Sequence, residues 1–179
     1  CNSRQYITTI IADETEEDAL QTVRSMIRNG LVDSFILLYS KQKDPIIDYL
    51  HSQGVLYALI GKAYQFANQT IYVDTDNIQA GKDATEHLIQ RGHTKIGFIG
   101  YEKTLLFSSD RRYGYELAHL EHGLPIHPDY HITVEHTPNQ LPETLSKLLN
   151  YPNRPTAFVV ADDFLGVALE HYCQQIGLV

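Results

Sequence analysis

The chain has little cysteine, no tryptophan, no basic run and no long apolar stretch. Two cysteines, Cys1 and Cys173, in 179 residues imply no disulfide framework and suit a reducing compartment. No apolar run is long enough to cross a bilayer, and no basic segment leads into an apolar one as a secretory signal requires. The formal net charge is −8, and the 14 lysines and arginines are scattered. This segment is therefore a poor candidate for gripping a phosphate backbone by itself. Nine histidines fall in no metal-ligand spacing, and His171-x-Cys173 lacks a partner pair. Gly54 to Lys62 is spaced too widely for a phosphate loop, and Ala63 stands where a magnesium-binding hydroxyl belongs. Gly97-x-x-Gly100 lacks the dinucleotide fingerprint. There is no G-x-S-x-G elbow and no nucleophile with an evident base. Nothing here points to an enzyme, a metal or a cofactor.

What is present is an ordinary globular composition, 43% apolar and 20% charged, in a length that suits one domain or two small lobes. Short β-branched runs alternate with amphipathic helical patterns, which predicts an α/β chain with parallel sheets built from βαβ units. Strands are expected at 6–12, 34–39, 55–60, 70–73, 95–101, 130–135 and 156–161. Helices are expected between them. One runs over 13–29, with Ala19, Leu20, Val23, Met26 and Ile27 on its stripe. Asp44 before Pro45 predicts an N-cap and first turn, with Ile46, Ile47 and Leu50 buried. The helix over 78–91 carries Ile78, Gly81, Ala84 and Leu88, with Asn77 as its cap. That over 110–122 buries Tyr113, Leu117 and Leu120, and 141–149 is leucine-rich. The last, over 164–176, sets Leu165, Ala168, Leu169, Tyr172 and Ile176 on one side. A boundary is expected near His93-Thr94, giving lobes at 1–93 and 94–179, and both ends read as cut.

The most specific stretch is V-D-T-D-N at 73–77 followed by G-x-x-A-x-x-H-L-I-x-x-G-H at 81–93, a strand, and R-x-x-G-Y at 111–115. This order resembles the effector-binding core of the LacI/GalR family of bacterial transcription regulators. G-L-V-D-S-F-I-L-L at 30–38 is similar to another family segment, and within the family the chain is similar to regulators of maltose-type sugar operons. The resemblance implies two Rossmann-like lobes of the type I periplasmic-binding-protein-like fold, truncated at both ends. It implies a small-molecule effector, a maltose-type sugar, held between the lobes. It further implies a cytoplasmic homodimer that reaches operator DNA through a headpiece absent from this chain. A periplasmic sugar-binding protein feeding a transporter is the alternative with nearly the same fold. An α/β enzyme is a third reading, and it lacks a catalytic constellation.

Ligands of open α/β sheets bind beyond the carboxyl ends of the strands. That selects Tyr39-Ser40, Gly61-Lys62, Asp74 to Asn77, Glu102 to Ser109, His136-Thr137 and Asp162-Asp163. The resemblance implies that Arg111 points into the cleft, where its planar fork can hold two neighbouring hydroxyls. It places Asp76 and Asp162 as acceptors for sugar hydroxyls, since an ionised carboxylate can only accept. Asp76 can equally cap a helix. Phe107 and Tyr39 offer aromatic faces to a sugar ring, with Tyr101 open to the same reading. Asp74 is expected to tie down the hinge, Asp163 to cap the last helix, and Arg112 to face solvent. Phe164 and Val167 lie off the buried stripe of their helix and are candidates for the dimer surface.

Overall fold

The computed structural model describes residues 7–134, 141–150 and 152–178. Expectations for residues 1–6, for Glu135 and for His136-Thr137 lie outside them. The element order is α1 (Glu16–Arg28), β1 (Ser34–Leu37), α2 (Pro45–Ser52), β2 (Leu56–Ile60), β3 (Ile71–Val73), α3 (Asn77–Gln90), β4 (Ile96–Tyr101), α4 (Leu106–Glu121), a 3-10 turn (Pro128–Tyr130), β5 (His131–Val134), α5 (Leu141–Leu149), β6 (Ala157–Val160) and α6 (Asp163–Gln175). The strands form two parallel sheets, ordered β1-β2-β3 and β5-β4-β6. Among the described residues no helix is long and apolar enough to cross a membrane.

Local chemistry explains the first lobe. Thr15 caps α1 through Asp18 N–H at 3.1 Å, and Glu16, Glu17 and Asp18 sit at the positive helix end. Asp44 caps α2 through Ile46 N–H at 2.8 Å, with Pro45 in the first turn. Ile46, Ile47 and Leu50 then meet Phe35, Tyr57 and Leu59, one face of the sheet. Side chains alternate along a strand, so the other face carries Ile36, Leu56, Ile71 and Val73, all exposed.

Residues 7–12 are not a strand, contrary to expectation. Ile7 and Ile10 are exposed, and only Ile11 of that run's isoleucines leans on the first core. A β-branched run becomes a strand when a neighbouring ladder takes its N–H and C=O groups. Among the described residues no strand ladder includes this run.

The second lobe is built around β4, buried from Ile96 to Gly100. Phe98 lies 5.5 Å from the Tyr115 ring of α4, and the Tyr115 hydroxyl donates to Ile96 O at 2.8 Å. Leu141, Leu145, Leu148 and Leu149 of α5 and Leu165 of α6 complete this core. Its stripe on α6 holds in part: Leu165 is buried, Ala168, Leu169 and Tyr172 are partly so, and Ile176 is exposed.

The buried face of α4 differs from the expected one. The helix starts at Leu106 and buries Gly114, Tyr115, Ala118 and His119, leaving Tyr113 and Leu120 exposed. The cause is a close crossing with α3. A Cβ at Gly114 would collide with Ile78 O and stand 2.7 Å from Lys82 N; one at Gly81 would collide with Arg111 O. The helices meet backbone to backbone through these two glycines, which turns the larger stripe outward. On α3 the same contact buries Thr85 in place of Ala84, and the Thr85 hydroxyl is satisfied by Gly81 O at 2.7 Å. Leu88 and Ile89 of α3 also pack on the second core. The contacts of α3 thus lie with the residues that follow it.

Burial in this lobe makes a pH prediction. His119 is 1% exposed, beside Tyr115 O. His131 Nε2 is buried with no hydrogen-bond partner. Burial lowers both pKa values, with Arg112 a second cause at His131. A depressed histidine contributes its full stability above its unfolded value, near 6.5, and loses it as pH falls toward the folded value. The melting midpoint is expected to fall between about pH 7 and 5, and less steeply in His119→Gln. An identical slope in the variant would show that His119 does not drive it.

Candidate functional site

Beyond β3 the chain turns through Asp74 to Asn77. Asp74 Oδ1 accepts from Thr75 N at 2.9 Å and from Asn77 Nδ2 at 3.0 Å, locking the turn. The cap of α3 is Asp76, accepting from Gln79 N–H at 2.9 Å, and not Asn77 as expected. Asn77 is already helical and buried. Its side chain turns inward and its Oδ1 accepts from Arg111 Nε at 2.9 Å. The last helix shows the same one-residue shift. Asp162, extended at φ −153, caps α6 through Leu165 N–H at 2.9 Å, and Asp163 is the first helical residue. A cap must keep a non-helical backbone while its side chain reaches the third N–H, and only the first residue of each pair, Asp76 and Asp162, does so.

Arg111 joins three elements. Besides Asn77 at the start of α3, it donates through Nη1 to Ala161 O, just past β6. Its guanidinium lies 5.4 Å from the centre of the Phe107 ring, one turn earlier on α4. Phe107 meets Tyr101 edge-on at 6.0 Å. Burial first, and the nearby Asp162 carboxylate second, push the Tyr101 pKa up to about 12. It therefore stays protonated. The structure thus brings Arg111, Phe107 and Asp162 together, with Asp76 adjoining through Asn77.

Tyr39 stands on the other sheet, beyond β1, and is 48% exposed. None of the described hydrogen bonds or ring contacts joins it to that cluster. Burial, then the charge of Asp44, raises its pKa. Arg112 turns along its own helix to Glu116 Oε1 at 2.8 Å, with a third of its side chain exposed. Asn77 and Ala161 were missed as the partners of Arg111. An asparagine beginning a helix reads as a cap, and a backbone carbonyl leaves no mark in a sequence.

Chemically, the arrangement is rich in acceptors. Asp76 and Asp162 place carboxylate acceptors at the starts of α3 and α6, and both spend one oxygen on a helix N–H. Such a surface suits a neutral ligand with several hydroxyls and repels an anion.

Two parallel α/β sheets whose strand ends gather polar and aromatic groups define a two-lobed binding protein of the periplasmic-binding-protein-like class. The chain belongs to the family of periplasmic binding proteins and sugar binding domains of the LacI family, which matches residues 2–171. It is 34% identical over 117 residues to the HTH-type transcriptional regulator MalR of Streptococcus pneumoniae, a match covering 65% of this chain and 35% of that protein. A solved LacI transcriptional regulator from Bacillus cereus is 31% identical with a TM-score of 0.91, covering 99% of this chain and 63% of that one. A solved maltose operon repressor from a Staphylococcus is 27% identical with a TM-score of 0.88, covering 100% of this chain and 64% of the other. The chain thus spans less than two thirds of the proteins it matches.

Proposed function

We propose that this chain is the effector-sensing core of a bacterial DNA-binding transcriptional repressor, with a sugar held between the two sheets. The observation that carries the reading is the Arg111 cluster, in which Arg111, Asn77 and the Phe107 ring meet beside the helix caps Asp76 and Asp162 at the strand ends of a family fold that binds sugars. Arg111, Asp76, Asp162 and Phe107 contact the sugar from one side, and Tyr39 approaches from the other sheet. The ligand is of the maltose type, as the similarity to maltose regulators suggests. Ligand binding alters operator affinity because the sugar binds one lobe arrangement more tightly than the other.

The rest of the assembly is proposed on the same footing. Operator DNA is bound through a headpiece outside this chain, the protein works in the cytoplasm, and it acts as a homodimer. Phe164 and Val167, 72% and 68% exposed on α6, suit such a contact. The packing of α3 on α4 supports a lobe boundary at Asp74 to Asp76, ahead of α3, in place of one near His93-Thr94.

Thermal melting against maltose, maltodextrins, glucose, sucrose, galactosides, ribose and purines tests the ligand class. A ligand at 100 times its Kd stabilises by about 2.7 kcal/mol, so maltose-type sugars are expected to raise the midpoint. A rise with purines alone would overturn the sugar reading.

A further inference from the structure

Helix α4 begins without a side-chain cap of its own. Leu105 holds the cap position with extended backbone, φ −80 and ψ 110, and makes no side-chain hydrogen bond there. A helix start leaves its first N–H groups without intrahelical partners, and leucine has no acceptor to offer them. The first of them, Leu106 N–H, donates to Ser40 O at 3.4 Å, from the segment that follows β1 in the other sheet. Two residues on, Gln42 N–H donates to Thr104 O at 2.9 Å. Between these contacts Lys41 and Leu105 form an isolated antiparallel bridge. Lys62, just beyond β2, places Nζ 3.1 Å from Asp110 Oδ2 in the second turn of α4. Ser40 is 4% exposed. Gly61 holds it closely: its φ is +120, and a Cβ there would stand 3.1 Å from Ser40 Oγ.

We infer that the Ser40-to-Gln42 segment is the N-cap of α4 supplied across the lobes, and that Ser40, Gln42 and Lys62 are positioning residues for the face carrying Phe107 and Arg111. Moving the sheets apart strips Leu106 N–H and Thr104 O of their partners together. The first turn of α4, with Phe107 in it and Arg111 one turn on, loses its anchor at the same moment. Lobe separation and disorder of the site are then one equilibrium, and a ligand that needs the ordered turn draws the lobes together. That last consequence rests on the sugar-cleft reading; the cross-lobe cap does not.

Hydrogen exchange on the intact protein tests it. Lys62→Glu sets a carboxylate against Asp110, and Gln42→Pro deletes the N–H given to Thr104. Each is expected to speed exchange of the amides of residues 106–109 by roughly three- to tenfold, while α5 and α6 keep their rates. The double reversal, Lys62→Glu with Asp110→Lys, is expected to restore protection. Unchanged exchange in both single variants, or a rise spread evenly through the second lobe, overturns the cap. Failure of the double reversal removes Lys62 from it. Maltose affinity is expected to weaken in step with exchange, and affinity that holds while exchange rises overturns the positioning role. If the unaltered protein binds no sugar, the sugar reading fails by itself and the exchange rates still decide the cap.

Discussion

Gly114→Ala is expected to lower stability by about 3 kcal/mol and to abolish effector binding at temperatures where the variant is still folded. The added methyl meets backbone: Ile78 O in collision, Lys82 N at 2.7 Å and Ile78 C at 3.0 Å. Backbone atoms of a helix cannot swing aside as a side chain does, so α3 and α4 must separate. The separation moves Arg111, which lies on the same crossing through Gly81 and depends on Asn77 in α3 for one of its bonds. For a chain of this size, about 3 kcal/mol corresponds to roughly 6–12 °C in melting midpoint. Gly166→Ala is the matched control. Its methyl would meet only Val160 Cγ2 at 3.5 Å, ordinary contact, within helix α6. Alanine there is expected to be neutral or to stabilise by up to about 1 kcal/mol through helix propensity. Equal melting midpoints for the Gly114 variant and the unaltered protein would sink the close-crossing account.

Arg111→Ala is expected to abolish the sugar-dependent shift and also to destabilise the unliganded chain by about 1–3 kcal/mol. Both effects follow from the position of Arg111. Its Nε and Nη1 already serve Asn77 Oδ1 and Ala161 O, so removing it leaves a buried amide and a carbonyl short of a donor. Its remaining N–H groups are the ones left for a ligand. Arg111→Lys should fare little better, because one ammonium on a flexible stem cannot span the two acceptors in a fixed plane and still present donors outward. Calorimetric titration with maltose, paired with denaturation of the unliganded protein, separates the two losses. A variant that loses no stability without ligand would remove Arg111 from its role as a clamp. One that keeps full affinity would remove it from the sugar site.

Much of the architecture was legible because it is local. β-branched runs bounded by turn residues predicted all six observed strands, and Asp44-Pro45 marked the start of α2. The rule that ligands sit beyond the strand ends selected segments that include Asp76, Phe107 and Asp162, and the family motif at 111–115 supplied Arg111. What failed depended on partners. The run at 7–12 has strand composition, yet among the described residues it joins no sheet. Tyr113, Leu117 and Leu120 have helical spacing, yet Tyr113 and Leu120 face outward because the contact is made by glycines, which carry no hydrophobic signal.

The amino-acid order by itself determined the α/β alternation, the parallel sheets and the family motifs, because periodicity, caps and turn residues act over a few neighbours. Tertiary structure alone decided which face of α4 is buried and what Arg111 holds. What Arg111 holds depends on an amide oxygen and a backbone carbonyl brought to it from residues 34 and 50 positions away in the chain. A carbonyl such as Ala161 O has the same chemistry in every sequence, and only folding puts it in front of a guanidinium.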